Sequence, residues 1–209
     1  ELARRRRKET LQSAMIADIE YEILDIHDGE LRPTLDNRRK IIRLIREYRP
    51  DLVLAPRPND YHPDHRYTSI LVQDSAYMVT VPNVCPDAEA LSYNPVIAYV
   101  SDDFQKPNPF SPDVVVDIDD VVEEKIEMLH QHTSQFYEWL PYNQGTFDEV
   151  PEDEEERKVW LADRWLTESR RLADAHRDVL VERYGEERGS EVECAEAFEG
   201  CEYGGPLTD

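Results

Sequence analysis

Helical and extended segments alternate along most of this chain, and that alternation constrains its fold more than any other feature. Apolar residues recur at helical spacing in five segments, at 3–17, about 34–48, 64–78, 119–140 and 154–184. Short apolar or alternating runs typical of strands occur at 21–26, 52–55, 96–100, 113–118 and 192–198. The pattern predicts an α/β fold with a mostly parallel sheet covered on both faces.

The domain organisation follows from composition. Residues 1–147 are predicted to form one α/β domain, and 158–209 to add a C-terminal helix and a final segment to the same domain. Between them, 148–157 contains seven acidic residues and one arginine, which predicts an acidic linker or loop. The chain begins at Glu1 directly in a helical pattern. Because an α/β domain usually has a strand ahead of its first helix, we expect a strand upstream of Glu1.

The charge balance limits the kinds of partner. The chain carries 46 acidic and 24 basic residues, a formal net charge of -22. This argues against binding to nucleic acid, which requires basic surface, and against docking on anionic membranes. No run approaches the ~20 apolar residues of a membrane span. The three cysteines match no zinc or redox motif, so we expect reduced thiols and a cytoplasmic protein.

The segment from Asn59 to Arg66 is the strongest candidate site. It follows the apolar run 52–55 and precedes a helical pattern, so it reads as a strand-to-helix loop, where α/β proteins bind ligands. His62 and His65 lie three residues apart with Pro63 between them, and a first helical turn would direct both imidazoles the same way. The alternative is a polar helix N-cap with two surface histidines. Two histidines alone do not complete a zinc site, which needs three protein ligands for catalysis.

Other polar residues have weaker claims. Arg6 could bind an anionic or hydroxyl-rich ligand, or it could form an ordinary salt bridge near Glu9. Asp28 follows the predicted strand 21–26 and belongs either to a turn or to the rim of a pocket. Asp60 lies beside the two histidines and could orient them. His132 could approach a pocket or simply pack between helices.

These residues occur in a pattern that resembles the LmbE/PIG-L family of zinc-dependent de-N-acetylases. The specific element is His62-Pro63-Asp64-His65, and weaker likenesses follow the same order along the chain, at Arg6-x-x-Glu9, Asp28-Gly29-x-Leu31, Lys125–Gln135 and Ala195-Glu196-Ala197-Phe198. The resemblance implies a Rossmann-like three-layer α/β sandwich and hydrolysis of an N-acetyl group on an N-acetylglucosamine-type conjugate. It implies His65 as a zinc ligand, His62 as the group that stabilises the oxyanion, and Asp64 as the residue that orients His62. It implies that Asp28 touches the sugar, and we also expect substrate contacts from Arg6 and Asp60.

One departure from the family pattern is large. The family also uses a His-Pro-Asp-Asp motif after its first strand, which supplies two zinc ligands and a general base, and this sequence has no such motif. We therefore expect weak or no binding of zinc, or of another divalent cation, by these 209 residues alone. The leading interpretation is a metal-dependent N-deacetylase with a small-molecule or glycoconjugate substrate and a homo-oligomeric state. The alternative is a carbohydrate-binding or scaffold domain without catalysis.

Overall fold

The computed structural model describes residues 1–207. The described helices, numbered in chain order, are α1 (Leu2–Ile16), α2 (Leu35–Tyr48), α3 (Pro63–Ser75), α4 (Val122–Gln131), α5 (Leu140–Gln144), α6 (Glu154–Ala175) and α7 (Arg177–Glu191). The strands are β1 (Leu52–Ala55), β2 (Val96–Val100), β3 (Val114–Asp117) and β4 (Ala195–Gly200). Short 3-10 turns lie at Tyr77–Thr80, Asp119–Val121 and Phe147–Glu149, and a π-helical segment at Ser134–Trp139.

The four strands form one sheet in the order β1-β2-β4-β3. β1 and β2 are parallel, with Leu52 opposite Val96, whereas β2 and β4 are antiparallel, with Ala98 opposite Gly200. β4 also runs antiparallel to β3, because the N–H of Asp113 donates to the carbonyl of Phe198 and the N–H of Ile118 to that of Cys194. The predicted mostly parallel sheet is therefore wrong, and the sheet is mixed. The physical reason is the insertion of β4 between β2 and β3 in the opposite direction.

Three other predicted elements differ from the structure. The segment 21–26 alternates like a strand but forms no strand, and Tyr21 and Ile23 are exposed. Alternation alone cannot supply the partner strand that backbone hydrogen bonds require. The helix predicted at 119–140 is divided among α4, the π-helical segment and α5, because the helical hydrogen bonds are interrupted around His132. The helix predicted at 154–184 is two helices, α6 and α7.

The chain forms two compact units. Unit 1 comprises Glu1–Leu24 and Val116–Glu196, and unit 2 comprises Asp25–Val115 and Ala197–Asp209. The core of unit 1 contains Ile118, Ile126, Tyr137, Leu161, Leu166 and Cys194. Unit 2 has two core clusters, one of Ala55, Val72, Ala76, Ile97, Tyr99 and Cys201 and one of Ile42, Ile45, Val79, Cys85 and Leu91. None of the described helices is long and apolar enough to span a membrane. The proposed domain boundaries at 147 and 158 stay predictions.

Candidate active site

The entry to α3 in unit 2 carries the two histidines, with His62 at the N-cap and His65 in the first helical turn. Pro63 occupies the first turn of α3, where its missing N–H costs no helical hydrogen bond. His62 is the N-cap residue, with extended backbone dihedrals, so its side chain lies at the helix start. Arg66 fixes the turn from within α3, since its Nη1 donates to the carbonyls of Asp60 and Tyr61 at 2.6 and 3.0 Å. The local sequence therefore builds a rigid helix entry.

The hydrogen bonds of His62 determine which of its ring nitrogens carries the proton. Its Nδ1 accepts the backbone N–H of Asp64 at 3.2 Å. Because a neutral imidazole has one N–H and one lone pair, Nε2 then carries the hydrogen. That Nε2 lies 3.5 Å from Oδ1 of Asp28. His62 is thus arranged as a hydrogen-bond donor through Nε2.

His65 has the opposite arrangement. Its Nδ1 lies 3.0 Å from Oδ1 of Asp60, a carboxylate that can only accept when ionised. The same oxygen accepts the backbone N–H of His62 at 2.8 Å, and the Asp60 side chain is only 12% exposed. Nδ1 of His65 is therefore the donor, and Nε2 keeps its lone pair. A carboxylate that holds one ring nitrogen while the other stays free is the usual arrangement of a metal-binding histidine.

Asp64 connects this turn to the loop that carries Asp28. Its Oδ2 accepts the backbone N–H of Gly29 at 2.7 Å, and its Oδ1 that of Leu31 at 3.2 Å. Gly29 has a φ of +81°, which favours glycine at this position of the loop. The hydrogen bond that orients His62 comes from the main chain of Asp64, while the side chain holds the Asp28 loop. The structure thus brings together Asp28, Asp60, His62, Asp64 and His65 within unit 2.

The site offers two groups of atoms suited to a divalent metal. Asp28, His62 and Asp64 each present a ligand atom, and these atoms all lie within 4.8 Å of one another, so the three could hold an ion. His65 offers the free Nε2 described above. Imidazole nitrogen and carboxylate oxygen are both zinc ligands. The hydrogen-bond pattern fits His65 better than His62 as the nitrogen ligand, because Nε2 of His62 already carries a proton.

A second polar cluster lies in unit 1 around Glu9, a buried carboxylate on α1. Its Oε2 accepts from Oγ of Ser134 at 2.6 Å, and its Oε1 accepts from Oγ1 of Thr133 at 2.9 Å and from Nε of Arg5 at 3.0 Å. Burial raises the pKa of Glu9, but the hydrogen bonds from Ser134 and Thr133 and the charge of Arg5 outweigh it and lower the pKa below its usual range. This cluster joins α1 to the segment that follows α4.

The remaining candidates also lie in unit 1. Burial lowers the pKa of His132 below its ordinary value, with Glu9 opposing that shift. Nε of Arg6 is buried and has no hydrogen-bond partner among the described residues. Glu196 pairs with Nζ of Lys125 at 2.7 Å. The substrate role of Arg6 stays a prediction.

Comparisons with known proteins identify the family of this chain. Residues 1–76, which include the His62–His65 turn, match the family model described as PIG-L, GlcNAc-PI de-N-acetylase. The chain is 35% identical over 156 residues, 68% of its length, to a diacetylchitobiose deacetylase of Thermococcus kodakarensis. It spans about half of that relative, 55% of its length.

Solved structures share the fold. An N,N'-diacetylchitobiose deacetylase from Pyrococcus horikoshii, 25% identical, matches with a TM-score of 0.63 over 97% of this chain and 65% of that chain. The 4-carboxy-2-hydroxymuconate hydratase GalB from Pseudomonas putida KT2440, 19% identical, matches with a TM-score of 0.70 over 99% of this chain and 74% of that chain. The second match concerns the fold alone, since one fold can carry different reactions. The family match, the curated relative and the His-Pro-Asp-His turn lead to one conclusion: the chain belongs to the PIG-L (LmbE-like) family.

Proposed function

We propose that this protein is a zinc-dependent hydrolase that removes the N-acetyl group from an amino-sugar conjugate of the N-acetylglucosamine type. Family membership and two relatives that are named as diacetylchitobiose deacetylases support the reaction class. The observation that carries the proposal is the pair of histidines in one turn with opposite proton positions. His62 presents an N–H and His65 presents a lone pair, which are two of the functions that metal-assisted amide hydrolysis uses.

His62 acts on the developing oxyanion. As water adds to the acetyl carbonyl, negative charge collects on the carbonyl oxygen, and Nε2–H of His62 donates a hydrogen bond to it. The donor is preorganised because Nδ1 is fixed by the backbone N–H of Asp64. Asp64 contributes a second time by holding the loop of Gly29 and Leu31, which keeps Asp28 at the edge of the site to meet a sugar hydroxyl.

His65 would hold the metal through Nε2, with Asp60 orienting its ring. A bound zinc ion supplies Lewis acidity toward the amide carbonyl and lowers the pKa of a bound water. Catalytic zinc takes three protein ligands, so His65 requires two others. Asp60 keeps Nδ1 of His65 protonated and so reserves the other nitrogen for the ion. We place Asp28 and Asp60 as residues that contact the sugar, and the substrate contact expected of Arg6 stays a prediction.

Three further expectations accompany this proposal, and they concern the architecture, the cellular location and the oligomeric state. A Rossmann-like sandwich architecture is supported by the TM-scores of 0.63 and 0.70 with the solved structures. A cytoplasmic location is supported by Cys85, Cys194 and Cys201, which are all buried free thiols. A homo-oligomeric state is a further expectation and would be measured by light scattering.

The direct test is acetate release from N,N'-diacetylchitobiose by the full-length protein in the presence of zinc, compared with release of alcohol from an acetate ester and of phosphate from a phosphomonoester. The proposal expects acetate from the amide substrate and loss of that activity in His65→Ala. His27→Ala, which removes an exposed histidine of the same unit, is the matched control. Binding of the disaccharide without any acetate release would favour a carbohydrate-binding domain and refute the hydrolase.

A further inference from the structure

Tyr61 places an exposed aromatic ring directly beside both histidines. The side chain is 71% exposed, yet its ring lies edge-on to His62 at 5.8 Å and to His65 at 5.7 Å between ring centroids. Single exposed aromatic residues are common and by themselves indicate nothing. Here the backbone of Tyr61 is fixed by the hydrogen bond from Arg66, so the ring projects from an ordered turn.

A second ring extends this surface. Phe104 lies in the loop between β2 and β3, and its ring is 6.2 Å from that of Tyr61 with a tilt of 38°. The two rings form an aromatic wall, a name we use for Tyr61 and Phe104 together. The wall borders the imidazoles of the candidate active site.

A buried arginine holds the Phe104 loop in place. Arg57, only 2% exposed, donates from Nη1 to Oδ1 of Asp102 at 2.8 Å and from Nη2 to the carbonyl of Asn108 at 2.9 Å. The same oxygen of Asp102 accepts the backbone N–H of Phe104 at 2.9 Å. Nε of Arg57 also lies 3.1 Å from Glu199 on β4. The loop is therefore anchored to the sheet on both sides of Phe104.

We propose that the aromatic wall is a subsite for a second sugar ring and makes Tyr61 and Phe104 specificity-determining residues. The inference rests on the proposed deacetylase function. A pyranose ring has an apolar face of C–H bonds, and aromatic rings present a negative face that attracts such C–H groups and a large apolar area to cover them. With the acetylated sugar at His62 and His65, the neighbouring ring of a disaccharide contacts the wall, whereas a monosaccharide leaves it uncovered. The site accordingly prefers a disaccharide or longer glycan.

The test compares N,N'-diacetylchitobiose with N-acetylglucosamine in the full-length protein. Tyr61→Leu and Phe104→Leu should each lower the ratio of kcat/KM for disaccharide over monosaccharide by about three- to tenfold, through KM for the disaccharide. Tyr61→Phe keeps the ring and should restore the wild-type ratio. Tyr77→Leu, which removes a tyrosine of similar exposure, 68%, in the same unit, is the control.

Calorimetric titration of both sugars separates this inference from the proposed reaction. If the wild type releases no acetate but binds the disaccharide, a three- to tenfold weaker affinity of Tyr61→Leu, roughly the range of one aromatic contact, supports the aromatic wall although the hydrolase proposal fails. Equal disaccharide affinity in wild type and Tyr61→Leu overturns the inference. So does an unchanged kcat/KM ratio in an active enzyme, or a wild type that binds neither sugar.

Discussion

Glu9 in unit 1 and His65 in unit 2 both lie in hydrogen-bonded polar clusters, but their surroundings differ. Glu9 is 4% exposed, and its two oxygens accept from Arg5, Thr133 and Ser134. The His65 side chain is 45% exposed, and its Nδ1 hydrogen bonds to Asp60. The carboxylate has its bonding capacity largely used inside the protein, whereas the imidazole keeps a nitrogen available.

This difference separates two uses of polar residues. A buried charge whose partners are all supplied by the fold stabilises that fold, because removing it leaves several donors unpaired. A fixed side chain with a free atom at a helix entry is suited to act on a ligand. Variants around Glu9 should therefore change stability, and variants around His62 and His65 should change activity or metal binding.

The largest effect is expected for His62→Ala. Loss of the Nε2–H donor should lower kcat for acetate release by about a hundred- to a thousandfold, the usual cost of one oxyanion donor. The melting temperature should stay close to that of the wild type, because the side chain is partly exposed. Steady-state kinetics with circular dichroism melts would check both. A large fall in melting temperature with unchanged kcat would show that His62 serves stability, and would contradict the difference drawn between the Glu9 cluster and the two histidines.

Glu9→Ala should lower the stability of the protein. It leaves Ser134, Thr133 and Arg5 without their shared acceptor, so the free energy of unfolding should fall by about 3 kcal/mol. Urea titration would measure it, with Glu20→Ala, an exposed acid of unit 1, as the control. The control should change stability by no more than about 0.5 kcal/mol. An effect of Glu9→Ala as small as that of the control would show that the cluster contributes little.

Asp60→Asn tests whether His65 is the metal ligand. If Asp60 orients His65, the variant should weaken zinc binding by the full-length protein by about ten- to a hundredfold. Asp28→Asn should leave zinc affinity near the wild-type value, because Asp28 is placed at the sugar. Calorimetric zinc titration of both variants would decide. The opposite order would locate the ion among Asp28, His62 and Asp64.

The smallest effect concerns pH. Because the pKa of Glu9 is lower in the folded than in the unfolded state, its contribution is present above the ordinary glutamate pKa and is lost as the pH falls through the folded value. The stability gap between the wild type and Glu9→Gln should therefore be largest near neutral pH and close below about pH 4.5. Urea titrations at several pH values would measure the gap. A gap that stays constant down to pH 3 would contradict the assignment.

Local patterns predicted much of this molecule. The apolar runs at 52–55 and 96–100 form β1 and β2. The segment His62-Pro63-Asp64-His65 forms the start of a helix, as its proline and spacing predict. The direction of β4 was not predictable, because alternation along Ala195–Gly200 fixes which faces are buried and not which neighbour pairs. The same limit explains 21–26, where alternation exists without a partner.

In the candidate site, too, local patterns predicted some contacts and not others. The three-residue spacing of His62 and His65 predicted that their side chains would be neighbours. The contacts of Asp64 with Gly29 and Leu31 join residues more than thirty positions apart, and no local rule indicates them. Tyr61 lies directly before His62 in the sequence, but its proposed role depends on Phe104, which the hydrogen bonds of Arg57 hold beside it in a distant loop. Hydrogen bonds between residues far apart in the sequence determine contacts that local spacing could not predict.

The proposed function depends on His62 and His65 carrying their protons on opposite ring nitrogens. Long-range ¹H–¹⁵N NMR spectra of the metal-free full-length protein, recorded near pH 8, report directly which ring nitrogen of each imidazole carries the proton. We expect these spectra to show the Nε2–H form for His62 and the Nδ1–H form for His65. Spectra showing the same tautomer for both rings, or the two forms exchanged, would contradict it.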